Sequence, residues 1–68
     1  MPDRLGNRLK EKRAEHGLTQ AELAERCGVT RKTINTVENG VFVPSTLLAL
    51  KIAFALNEPV ERLFWLEG

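Results

Sequence analysis

An all-α fold is what this sequence predicts, and three observations carry it. Two short helical patterns, Gln20 to Cys27 and Arg31 to Asn39, are separated only by Gly28-Val29-Thr30. Each is preceded by a threonine, Thr19 or Thr30, whose hydroxyl can accept from the first free N–H groups of a helix. Longer helical stretches flank the pair, one stopped by Gly17 and one beginning after Ser45.

Taken in order, the first helix is expected from about Arg4 to His16. Leu5 and Leu9 define its buried stripe, and Arg13, one further step of four along it, is a charge on the inward side. Such a charge either finds a partner or snorkels to water. His16 lies at the end of this helix, where it meets the negative end of the helix dipole. The second helix starts with a capping box: Thr19 accepts from the N–H of Glu22, and the Glu22 carboxylate reaches back to the N–H of Thr19. Gly28 supplies the left-handed residue that ends it, and Thr30 caps the third helix after so short a turn that the two must cross steeply.

At roughly 100° per residue, Ile34 and Val37 of the third helix point inward with Glu38 at the edge of their sector. Lys32, Thr36 and Asn39 lie opposite, flanked by Asn35, and this outward face holds no large apolar residue. One reading is an ordinary solvated face. The other is recognition of a DNA groove, since these are donors suited to base edges and phosphates, the acid is turned away, and Arg31 sits at the end that enters a major groove first. The second reading is preferred.

Beyond Gly40, the run Val41-Phe42-Val43-Pro44 is an extended connector closing on an N-cap at Ser45. The fourth helix runs to about Leu56 and is apolar nearly all round. Ala49, Leu50, Ile52, Ala53 and Leu56 suffice for the core, which leaves Leu47 and Phe54 over for a second interface. Pro59 opens a fifth helix, and the chain ends Leu63-Phe64-Trp65-Leu66-Glu67-Gly68. Two aromatics and two leucines in four residues exceed what one side of a helical turn can cover. Either Leu63 and Phe64 cap the core while Trp65 lies loosely on the surface, or Trp65 and Leu66 join Leu47, Phe54 or the Val41 to Val43 segment in a symmetric homodimer.

Sixty-eight residues are expected to form one small domain, 1–68, with the two steeply crossed helices at about 19–40. A chain of this size buries only about 60% of its extended surface. One such core rarely supplies more than about 3 to 5 kcal/mol, so self-association or a partner is a reasonable expectation. The net charge is only +1, but residues 1–34 carry eight Lys/Arg against five Asp/Glu, whereas residues 35–68 carry two against four. The positive half holds the recognition elements. Arg4, Arg8, Lys10, Lys12 and Arg13 of the first helix face either phosphates or water, and water is favoured for most of them.

No glycine-rich phosphate loop, metal-ligand spacing or acid/base pair is present, and His16 has no nucleophile beside it. Neither an enzyme nor a metal, cofactor or small-molecule site is expected. No apolar run is long enough to cross a bilayer, and Met1-Pro2-Asp3-Arg4 does not resemble a secretion signal. With a lone Cys27, read as a small core residue in a reducing compartment, a cytoplasmic location is the expectation.

Several ordered blocks over Leu9 to Phe64 resemble the phage Cro/C1 repressor family, also called the Xre family, of DNA-binding regulators. They are Gly17-Leu18-Thr19-Gln20-Ala21-Glu22-Leu23-Ala24, Gly28-Val29-Thr30-Arg31-Lys32-Thr33-Ile34-Asn35, Glu38-Asn39-Gly40, Pro44-Ser45, and Ala49-Leu50-Lys51-Ile52-Ala53. The resemblance implies a compact five-helix bundle of the lambda-repressor-like type containing a helix-turn-helix. It implies a pairing of Arg13 with Glu38 that orients the recognition helix. It also implies that Gln20 and the N-terminus of the second helix hold a phosphate, that Thr30 and Asn39 make backbone contacts, and that Arg31, Lys32 and Thr36, with Asn35 beside them, read base edges. Many relatives carry glutamine where Lys32 stands, so Lys32 meets either a base or a phosphate.

The expected function is sequence-specific binding of double-stranded DNA by a transcriptional regulator, most simply a homodimeric repressor on a palindromic operator. Its rivals are the antitoxin half of a toxin and antitoxin module and a protein-interaction module without DNA binding.

Overall fold

The computed structural model describes residues 2–68; Met1, the first residue of the stretch read above as unlike a secretion signal, lies outside them. Seven elements follow one another: β1 (Arg4–Asn7), α1 (Leu9–Glu15), α2 (Gln20–Cys27), α3 (Arg31–Glu38), α4 (Thr46–Leu56), α5 (Val60–Leu63) and β2 (Phe64–Glu67). The molecule is mostly helical, with five helices, but it is not strictly all-α: β1 and β2 pair antiparallel, Arg4 opposite Glu67, Leu5 opposite Leu66, Gly6 opposite Trp65 and Asn7 opposite Phe64.

The first helix therefore starts at Leu9 rather than near Arg4. Asn7 decides this, because its Oδ1 accepts from the Leu9 N–H at 3.0 Å, and Gly6 just before it is a poor helix former. The spacing of four between Leu5 and Leu9 reads as a helical stripe, yet a strand leading into a helix satisfies it too. Leu5 packs on the core from β1 and Leu9 is fully buried in α1. At the other end of the chain, Phe64-Trp65-Leu66 gains main-chain partners by pairing with β1, and the Arg8 N–H extends the ribbon with a bond to the Leu63 carbonyl at 3.0 Å.

Both halves of the α2 capping box form: the Glu22 N–H donates to Thr19 Oγ1 at 3.0 Å and the Thr19 N–H to Glu22 Oε1 at 2.9 Å. The Thr19 N–H, and next its hydroxyl, hold the Glu22 carboxyl below the usual carboxylate range. The cap thus contributes at neutral pH and is lost as pH falls through that lowered pKa. Gly28 at φ +70° ends α2, and Thr30 caps α3 by accepting from the Thr33 N–H at 3.3 Å. Ser45 Oγ caps α4, accepting from the Leu48 N–H at 3.1 Å.

Leu9, Leu23, Ile34, Ile52, Leu56 and Leu63 are completely buried where the five helices meet. On α4 the inward residues are Leu48, Ile52, Ala53 and Leu56. Leu50, expected in the core, is 53% exposed. Packing against the other helices turns Leu48, Ile52 and Leu56 to the bundle, and Leu50 lies about 200° round the helix from Leu48. Cys27 is a buried free thiol whose pKa burial pushes up, as a small core residue's would be.

On the solvent side of the ribbon the Trp65 indole lies over Gly6. A Cβ at residue 6 would collide with its ring. Arg8 covers the ring with its guanidinium 5.0 Å from the centroid, and Trp65 Nε1 donates to Glu67 Oε2 at 3.1 Å. Gly6→Ala should displace the only tryptophan, shifting its fluorescence to the red and lowering stability by about 1 to 3 kcal/mol in urea unfolding. Unchanged emission and stability would mean that the indole does not need that glycine.

Candidate nucleic-acid interface

The interface is built on α3 and on the start of α2. Ile34 and Val37 clamp α3 to the bundle, and Arg31, Lys32, Asn35 and Asn39 are exposed on its other side, with Thr36 half-buried among them. Neither Arg31 nor Lys32 has an ion-pair partner among the described residues.

What fixes the pose of α3 is a polar network under its rim. Arg13 Nε donates to Glu38 Oε2 at 2.7 Å and Nη2 to Glu38 Oε1 at 3.3 Å, while Nη1 donates to the Leu18 carbonyl at 2.7 Å. The Arg13 and Glu38 side chains are only 13% and 2% exposed, so this pair works in a poorly hydrated setting. One Glu38 oxygen accepts a further bond from Gln20 Nε2 at 3.0 Å, and the same amide nitrogen donates to Asn35 Oδ1 at 3.1 Å. Three elements are thereby tied together: α1 through Arg13, α2 through Gln20 and α3 through Glu38 and Asn35.

Gln20 was expected to present its side chain to a phosphate. Both amide hydrogens are instead directed at the protein, so an anion at this point would meet the N–H groups of Gln20 and Ala21, which precede the first helical bond from Leu23 to Thr19. Thr30 is likewise occupied as the cap of α3, with its Oγ1 3.1 Å from that of Thr33. Thr36 donates its hydroxyl hydrogen to the Thr33 carbonyl at 2.9 Å. Asn39 directs its amide nitrogen to the Asn35 carbonyl at 3.0 Å and to Asn35 Oδ1 at 3.2 Å.

Two positioning contacts escaped the sequence. Asn7 Nδ2 donates to the Val37 carbonyl at 3.1 Å, linking the ribbon to the last turn of α3 across thirty positions. His16 Nε2 stands 3.8 Å from Glu58 Oε2, so the end of α1 lies beside the turn before α5. No local pattern signals either one. Of the candidate dimer residues, Leu47 and Leu66 are exposed and Phe54 is 89% exposed, whereas Trp65 is half-buried against its own ribbon. Phe42 and Leu47 share one groove, and Leu50 and Phe54 share another with Arg26 and Lys51. Trp65 lines a third with Arg8 and Ala14, which contains none of the other three.

Residues 9–63 match the helix-turn-helix family model. The chain belongs to the helix-turn-helix family of Cro/C1 (Xre) type. It is similar to the HTH-type transcriptional regulator YgzD of Bacillus subtilis, 51% identical over 61 residues that span 90% of this chain and 92% of YgzD. Among solved structures it resembles the restriction-modification controller protein C.AhdI of Aeromonas hydrophila, with 36% identity, a TM-score of 0.77, and coverage of 81% and 83% of the two chains. It also resembles SinR, a master regulator for biofilm formation solved in complex with DNA, with 31% identity, a TM-score of 0.74, and coverage of 79% and 87%. The protein is thus a transcriptional regulator with a helix-turn-helix DNA-binding fold, and its family is not one of enzymes. Among the described residues no helix is long and apolar enough to cross a membrane.

In this family member, truncating either Arg13 or Glu38 to Ala should cost about 3 to 5 kcal/mol in urea unfolding, because the survivor is left charged and poorly solvated. The double variant should lose clearly less than the sum of the two. Additive losses would show that the two side chains do not stabilise one another.

Proposed function

We propose that the protein is a repressor that binds a palindromic operator as a homodimer, each copy laying α3 in the major groove. The observation that carries this reading is the outward side of α3, where Arg31 and Lys32 stand exposed with no acid paired to either among the described residues. Arg31 is placed to donate to guanine O6 and N7, and Lys32 to a neighbouring base or phosphate. Thr36, its hydroxyl hydrogen turned back to the helix, is left with its methyl for a thymine methyl. The free N–H groups at the start of α2 take one phosphate beside Gln20, and Thr30 and Asn39 flank the backbone at the two ends of α3. SinR, similar in fold and solved in complex with DNA, supports DNA as the ligand.

The homodimer rests on apolar surface that a chain this small leaves uncovered. Leu47, Phe54 and Leu66 are exposed together with Val41, Phe42 and Val43. Trp65 stands beside Leu66 in β2. A two-fold pair of α3 helices about one turn of DNA apart would read an inverted repeat.

In fluorescence anisotropy with DNA from upstream of its own gene, Arg31→Ala should cost about 1 to 3 kcal/mol and relax preference at one position in each half-site. Wild-type affinity should fall steeply as salt is raised. Indifference of binding to both changes would exclude the proposed docking. Equilibrium sedimentation at micromolar concentration should give a dimer, and a strict monomer both free and on DNA would end the homodimer proposal.

A further inference from the structure

The side-chain amides around α3 form a chain whose direction is set at both ends. Arg13 donates to both oxygens of Glu38, so the face that Glu38 turns to Gln20 offers an acceptor. Gln20 must answer with its NH2 group, at 3.0 Å. The second hydrogen of that group meets Asn35 at 3.1 Å, and Asn35 must present its oxygen there. From the opposite side Asn39 is oriented by the Asn35 backbone carbonyl, which also only accepts, and the same Asn39 nitrogen reaches Asn35 Oδ1 at 3.2 Å. Two donors, each oriented by a different acceptor, therefore hold one oxygen. Both acceptor positions of Asn35 Oδ1 are engaged, while its Nδ2 has no partner among the described residues and the residue is exposed between Arg31 and Asn39 on the outward face.

We infer that Asn35 is a specificity-determining residue that offers DNA a donor without an acceptor, and so selects a keto base, guanine or thymine, on the strand it faces. The inference rests on the reading of α3 as the recognition helix. An unconstrained asparagine grips adenine with both ends of its amide, accepting from N6 and donating to N7. With the oxygen held by Gln20 and Asn39, adenine keeps at most the bond from the NH2 group to N7 and loses the one from its N6 amine, while the N4 amine of cytosine faces the NH2 group donor against donor. N7 is common to both purines, so the choice falls on the neighbouring group: guanine O6 and thymine O4 accept from the NH2 group where adenine N6 and cytosine N4 oppose it. Gln20 then acts as a positioning residue: it sets which end of Asn35 faces outward, and Glu38 in turn sets Gln20.

The test is a set of operators carrying each of the four base pairs at every half-site position, titrated with the wild type, Asn35→Ala, Asn35→Asp and Gln20→Met. Asn35→Ala should flatten preference at one position, and there the wild type should favour G or T over A or C by about tenfold. Asn35→Asp keeps an acceptor for Gln20 and Asn39 but replaces the donor by a second acceptor, so the preference should invert toward A or C. Gln20→Met frees one acceptor position of Asn35 and should narrow the discrimination against adenine to about threefold or less. A wild-type preference for A or C at that position, a keto preference that survives Asn35→Asp, or no position flattened by Asn35→Ala would each overturn the inference while leaving the regulator intact. Absence of any sequence preference in the wild type would instead remove the recognition-helix reading itself, and this inference with it.

Discussion

A carboxylate almost sealed from water has to be answered by a cation, and in this protein that requirement organises the polar rim of α3. Glu38 lies where α1, α2 and α3 converge, and Arg13 meets it through two nitrogens while a third reaches the Leu18 carbonyl. A salt bridge of this kind is weak evidence for net stability, since desolvating both charges offsets much of their attraction. Its value is geometric. An apolar replacement would fill the space, but it would not dictate the rotation of α3 about its axis or the orientation of the Gln20 amide above it.

The direction imposed by that pair passes outward to groups that solvent can reach. Gln20 is bound on its inward side, Asn35 is held by its oxygen and Asn39 by its nitrogen, so the rim of α3 is ordered before any nucleic acid arrives. Arg31 and Lys32 are the opposite case, exposed long cations without ion-pair partners among the described residues. Interlocked amides and unpaired cations suit different tasks. In the proposed complex the first would discriminate between base edges, and the second would supply attraction to the backbone together with reach into the groove. The ribbon contributes to the same end through Asn7, whose side chain joins the first turn of α1 to the last turn of α3.

The helix-turn-helix was legible because its signals are local. The reciprocal bonds of Thr19 and Glu22, the left-handed Gly28 and the caps at Thr30 and Ser45 each depend on residues within three or four positions. The inward position of Arg13 also followed from spacing, and its partner from the family resemblance. The ribbon did not, because pairing between the two ends of the chain is a long-range choice and Leu5 with Leu9 imitates a helical stripe. Leu50 was misplaced for a related reason: α4 is apolar on every side, so its pattern carries no phase, and which leucines turn inward is decided by packing against the rest of the bundle. The inward commitment of Gln20 was equally hidden, since glutamine serves a phosphate or a carboxylate through the same NH2 group.

Which groove α3 enters, and with which edge, is the central question, and chemical protection by dimethyl sulfate reads it directly. The reagent methylates guanine N7 in the major groove and adenine N3 in the minor groove, so one experiment on the bound operator separates the two. With α3 docked by its exposed polar side, guanine N7 should be protected in two major-groove segments about one helical turn apart, and adenine N3 should stay reactive between them. Protection confined to adenine N3, or uniform reactivity at saturating protein, would contradict the placement of this helix.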